Sequence, residues 1–196
     1  MLITMNSALL KEDIELLKNL TDNEYLQLKD VFHYQKYKKG EFIIKENKFV
    51  KKVNFIFSGL VKLSHYDVEW KESILSFASE NWWETDFSAF YNKSPSTLAL
   101  QCLEETETYS LDYGDFHHIL EKYNLSKYFL DKSMKGHIAS QNRILSLLLH
   151  TPKKRYDQFA QLYPTLLQRI PKSVLALYLG VSRETLSRLH KTAKNK

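Results

Sequence analysis

The stretch KSVLALYLGVSRETLSRLHK, Lys172 to Lys191, decides how this chain is read. Two short helices that cross steeply need a small residue where they touch, a residue able to take a left-handed turn between them, and apolar residues facing inward. Ala176 supplies the first and Gly180, four residues on, the second. Leu175, Leu179, Val181, Leu186 and Leu189 take the inward positions, and Ser182 stands as N-cap of the second helix. Arg183, Glu184, Thr185, Ser187 and Arg188 are left on the outer face. That is the pattern of a helix-turn-helix with its recognition helix.

The charge distribution agrees. Residues 1–151 carry 18 Lys and Arg against 21 Asp and Glu, whereas residues 152–196 carry 10 against 2. A basic segment behind a slightly acidic body suits a polyanion, because Lys and Arg near phosphates release condensed counterions. Arg can donate two parallel hydrogen bonds to guanine O6 and N7, and Glu can accept from cytosine N4. Arg183, Glu184 and Arg188 are therefore the expected readers of sequence. Ser182, Thr185, Ser187, Lys172 and Lys191 are the expected phosphate contacts, which orient without specifying.

Working towards the N-terminus, Thr151-Pro152 predicts an N-cap and a first-turn proline opening a helix through Leu162. From about Leu125 to Leu149, the residues Phe129, Met134, Ile138, Leu145 and Leu148 recur at spacings of three, four or seven, an imperfect coiled-coil seam that needs a partner. Upstream the period shortens to two. VNFIFSGLVKLSHY (53–66) holds Ser58-Gly59 between two β-rich runs, with further strands expected at Glu41–Lys45, Glu72–Phe77, Thr97–Cys102 and Thr106–Leu111 and another turn at Lys39-Gly40. Many short strands with frequent turns predict a jelly-roll-like barrel. Leu9, Leu10, Ile14, Leu16, Leu17, Leu20, Tyr25, Leu26, Leu28 and Val31 suggest one or two helices before it. The expected division is a β-roll over residues 1–124, a dimerisation helix over 125–150 and a DNA-binding region over 151–196.

At Ser182-Arg183-Glu184-Thr185 and Arg188 the chain resembles the Crp/Fnr family of bacterial transcription regulators. The resemblance implies an α+β fold: a cyclic-nucleotide-binding-type β-roll, a long dimerisation helix and a C-terminal winged helix-turn-helix, here with a shortened wing. It further implies a homodimer on double-stranded DNA with pseudo-palindromic half-sites of the TGTGA type, and RNA polymerase as partner.

The resemblance weakens in the sensory half. Family members that bind cyclic nucleotides carry a Gly-Glu pair and a later Arg-Ser or Arg-Thr; the matching stretch SENWWETDFSAFYNKSPSTLAL (79–100) has neither, and Pro95 stands where the arginine is expected. No arginine precedes Arg143, so nothing in this region offers a bidentate guanidinium to a phosphate. Cyclic AMP binding is not expected. Trp82, Trp83, Asp86, Phe87, Phe90, Ser96 and Thr97 are either the lining of a pocket for an unidentified small-molecule effector or side chains filling the vacated site.

No cofactor, metal site or catalytic residue is expected. The single cysteine, Cys102, cannot build a disulfide or thiolate cluster within the chain and reads as a small buried hydrophobe. No signal peptide or membrane span is legible, so the expected location is cytoplasmic. The alternative is a cupin-like metal-dependent enzyme or small-molecule-binding barrel with a basic helical appendage.

Overall fold

A computed structural model describes residues 21–28 and 31–194, with side chains described through 190. The apolar positions from Leu9 to Leu20 lie outside the described residues. Helix α1, Asp22–Leu28, buries Tyr25 and Leu28. A capping box opens it: the Thr21 N–H donates to the Glu24 carboxylate at 2.8 Å, and the Glu24 N–H donates back to the Thr21 hydroxyl at 3.3 Å.

Eight strands follow: β1 His33–Tyr37, β2 Phe42–Ile44, β3 Lys52–Ser58, β4 Leu60–Tyr66, β5 Glu72–Ser79, β6 Trp82–Glu84, β7 Ala99–Cys102 and β8 Thr106–Asp112. They form two four-stranded sheets, ordered β1-β8-β3-β6 and β2-β7-β4-β5. Strand β3 lies between β8 and β6 and buries Val53, Asn54, Phe55 and Ile56 in succession, so its expected alternation is absent. A run of that kind marks a strand covered on both faces. The turn from β3 to β4 depends on Gly59, whose φ is +110° and whose added Cβ would meet the Glu105 carbonyl at 2.7 Å and Thr106 Oγ1 at 2.5 Å. Every strand expected from the sequence is present within a residue or two, whereas β1 and β6 were not singled out.

Helices α2, Phe87–Asn92, and α3, Tyr113–Lys122, bury Ala89, Phe90, Phe116 and Ile119 in the same core as the strands, and α4, Ser126–Leu149, continues the chain. Phe129, expected on the seam of α4, turns inward, with its ring 5.1 Å from Trp83 and 4.9 Å from Phe116. The Trp83 indole N–H donates to the Tyr128 hydroxyl at 3.2 Å. Beyond this anchor α4 carries a bare apolar stripe: Leu130, Met134, Ile138, Leu145 and Leu149 are all exposed, and no residue of the helix is buried. Their spacing of four and seven keeps them on one face.

The chain separates into two compact units, the described residues through His65 with Phe77–Lys132, and Tyr66–Ser76 with Ser133 onward. In the second unit four helices follow α4: α5 Pro152–Leu162, α6 Pro164–Arg169, α7 Lys172–Leu179 and α8 Arg183–Lys194. Thr151 caps α5 as expected, accepting from the Lys154 N–H at 3.4 Å, with Pro152 in the first turn. Among the described residues no strand follows β8, so this end of the chain is helical.

Candidate nucleic-acid interface

Helix α7 ends because Gly180 adopts φ +63°, ψ +43°, and its N–H and that of Val181 close on the carbonyls of Leu177 and Ala176 at 3.1 and 3.0 Å. A Cβ at Gly180 would make only ordinary contact with Leu147 at 3.6 Å, so the backbone angle, not space, requires glycine. Two residues later Ser182 caps α8, accepting from the Thr185 N–H at 3.2 Å. Leu175, Ala176, Leu179 and Leu186 are buried where the two helices meet, and Val181 and Leu189 are half-buried. Leu186, at 1% exposure, fixes the rotation of α8 about its own axis.

That rotation leaves Arg183, Glu184 and Arg188 exposed on one outer face, with Ser187 half-buried beside them. Thr185 is half-buried and accepts from Arg188 Nη2 at 3.4 Å, so it steadies a neighbour as well as presenting a hydroxyl. The Glu184 carboxyl is held below the usual carboxylate range by its own backbone N–H and the Ser182 hydroxyl, then by the charges of Arg183 and Arg188. It is therefore ionised at neutral pH and acts purely as an acceptor. Lys172 is exposed at the start of α7. The side chain of Lys191 lies outside the described residues.

The aromatic cassette is arranged differently. Asp86 is buried; one oxygen caps α2 by accepting from the Ala89 N–H at 3.0 Å, and the other accepts from the Ser96 hydroxyl at 2.7 Å. Ser96 is buried too, while Thr97 is exposed and presents its carbonyl to His65 at 2.8 Å. Trp83 and Phe90 belong to the core, Trp82 is half-buried with the Lys132 ammonium 5.8 Å from its ring, and Phe87 faces outward. The structure thus brings Asp86 and Ser96 together and separates Phe87 and Thr97 from them. Cys102 is buried, and burial pushes its thiol pKa up to about 11.

Two groups of side chains were missed from the sequence. His33, Asp112 and Asp115 each place one potential ligand atom within 4.8 Å of the others. Only the Asp112–Asp115 spacing was legible in advance, since His33 reaches them through the β1–β8 pairing. Arg143 and Arg155 bond to main-chain carbonyls around the turn between α7 and α8, a role with no sequence signature.

A cyclic nucleotide-binding domain is matched over residues 34–123. No curated protein matches the chain. Solved structures match over most of its length. FixK2 from Bradyrhizobium japonicum is 15% identical, with 84% of this chain and 85% of that one covered at a TM-score of 0.72. A CooA mutant from Carboxydothermus hydrogenoformans is 21% identical, with 93% and 85% covered at 0.74. The c-di-GMP-responsive global regulator CLP of Xanthomonas campestris is 13% identical, with 89% and 92% covered at 0.70. Among the described residues no helix is long and apolar enough to cross a membrane. The chain thus matches the cyclic nucleotide-binding domain over residues 34–123 and shares the fold of FixK2, CooA and CLP over most of its length.

Proposed function

We propose that the chain is a sequence-specific DNA-binding transcription regulator of the Crp/Fnr type, working as a homodimer and not controlled by cyclic AMP. The observation that carries this reading is the shared outer face of Arg183, Glu184, Ser187 and Arg188 on the second helix of a helix-turn-helix whose inner face is packed through Leu175, Ala176, Leu179 and Leu186. Such a helix can enter a major groove and present two guanidiniums and an ionised carboxylate to base edges. Ser182 and Lys172 at the helix starts are the phosphate contacts, with RNA polymerase the partner once DNA is bound. The homodimer reading rests on the bare stripe of α4, which two copies would cover against each other.

Independence from cyclic AMP rests on the cassette. The Asp86 and Ser96 side chains are satisfied within the protein, and no arginine precedes Arg143 to receive a phosphate. CLP is described as responsive to c-di-GMP, which shows that this fold takes other effectors; any effector of this chain is then a different small molecule. Selecting bound duplexes from a random pool, with and without cyclic AMP, tests the reading. The expected product is a pseudo-palindrome with half-sites about 34 Å apart, its affinity changed by less than about twofold on adding the nucleotide. Recovery of no preferred sequence would overturn the DNA assignment, and a large nucleotide response would overturn the second part alone.

A further inference from the structure

All five arginines lie in the last 54 residues, yet three of them, Arg143, Arg155 and Arg169, do not lie on the recognition helix, and the first two reach its turn. Arg143, midway along α4, donates from Nη1 to the Tyr178 carbonyl at 2.9 Å and from Nη2 to the Ile74 carbonyl of β5 at 2.6 Å, with its guanidinium carbon 3.5 Å from the centre of the Tyr178 ring. Arg155, one turn into α5, donates from Nη1 to the His150 carbonyl at 3.0 Å and from Nη2 to the Gly180 carbonyl at 3.3 Å.

The acceptors matter. The last carbonyls of a helix lack partners within it, and that end carries partial negative charge. At the end of α7 the backbone itself satisfies Ala176 and Leu177 through the N–H groups of Val181 and Gly180. Tyr178 and, past Leu179, Gly180 follow, and each of these two carbonyls receives a guanidinium from a different helix. The turn that aims α8 is therefore gripped from two sides, by groups whose planar forks bond two carbonyls at once. An ammonium has a single charged nitrogen and no such fork.

We propose that Arg143 and Arg155 are positioning residues for DNA readout: they clamp the turn Tyr178–Gly180 to α4, α5 and β5, and so set the angle at which Arg183, Glu184 and Arg188 meet base edges. This rests on the DNA-binding reading above and extends it to residues that touch no DNA. A clamp of this kind affects specific recognition, which needs base-edge geometry, more than non-specific association, which needs only charge near phosphates.

The test compares Arg143→Ala, Arg143→Lys and Arg155→Lys with the parent chain by fluorescence anisotropy, on the selected site and on random duplex, across a salt series. The expected result is about a tenfold loss on the selected site in each variant, affinity for random duplex held within about twofold, and an unchanged salt slope. Equal losses on both duplexes, or a slope reduced by about one as for a direct phosphate contact, would overturn the proposal. So would parental affinity in Arg143→Lys, since charge alone would then suffice. Amide hydrogen exchange on the free chain supplies a readout that needs no DNA: Gly180 and Val181 should exchange about tenfold faster in the variants while β3 and β8 are unaffected. Unchanged exchange there defeats the clamp even if DNA binding is confirmed. A parent chain that selects no site but shows the exchange effect defeats the regulator reading and leaves the clamp standing.

Discussion

Arg183 and Arg188 are exposed, and their removal leaves the packing of α8 on Leu186 intact. Replacing either with Ala is expected to cost about 1–3 kcal/mol at the selected site and to relax base preference at one position, measured by titration against single-base variants of the site. Cys102 acts through titration. Its thiol pKa is raised from 9.0 to about 11, chiefly by burial, so the folded chain holds this proton more tightly than the unfolded chain. As pH rises from 9 to about 11 the unfolded state sheds the proton first, and stability falls. The expected outcome is a declining denaturation midpoint over that window, with a shallower decline in Cys102→Ala; Tyr37, pushed up to about 12 by burial, keeps part of the slope. These residues differ in how much the sequence disclosed. Gly180, Ser182 and Leu186 were legible because each has one local job set by spacing. The roles of Arg143 and Arg155 were not, because their partners are backbone carbonyls brought near only by the fold.

Among the elements, α4 is the one whose surface is unfinished. Ile138 is half exposed in the middle of the stripe, so Ile138→Lys should leave the fold intact while placing like charges together where the proposed dimer would join two copies. Sedimentation velocity is expected to show a shift from dimer to monomer, with an unchanged circular dichroism spectrum; a parental dimer would mean that another surface holds the copies together. The inward turn of Phe129 explains why the seam expected from the sequence begins one residue before the exposed stripe, which starts at Leu130. An aromatic at a seam position also fits the aromatic cluster of Trp83, Phe116 and Tyr128, and only the fold decides which surface it joins. The missed strands have similar reasons. His33–Tyr37 lies at a sheet edge, where alternation is weak, and Trp82–Glu84 is three residues long, too short for any period to register.

For the molecule as a whole, a cyclic-nucleotide-type roll, a long helix and a helix-turn-helix stand in the order that the sequence periodicities implied, because period two, period three-and-a-half and a turn glycine are signals carried by backbone geometry. The part played by the aromatic cassette was less legible. Asp86 could have been a ligand contact or a cap, and the partner that settles its present role, Ser96, is ten residues away on the far side of α2. The stripe on α4 has a consequence for physiology if two copies must assemble before both half-sites can be engaged. While free chains are in excess over assembled pairs and the site is far from saturated, pairs accumulate with the square of the amount synthesised, so doubling expression would raise site occupancy about fourfold by mass action. A cell could then set the threshold for engaging both half-sites by how much of the chain is made, with no metabolite involved.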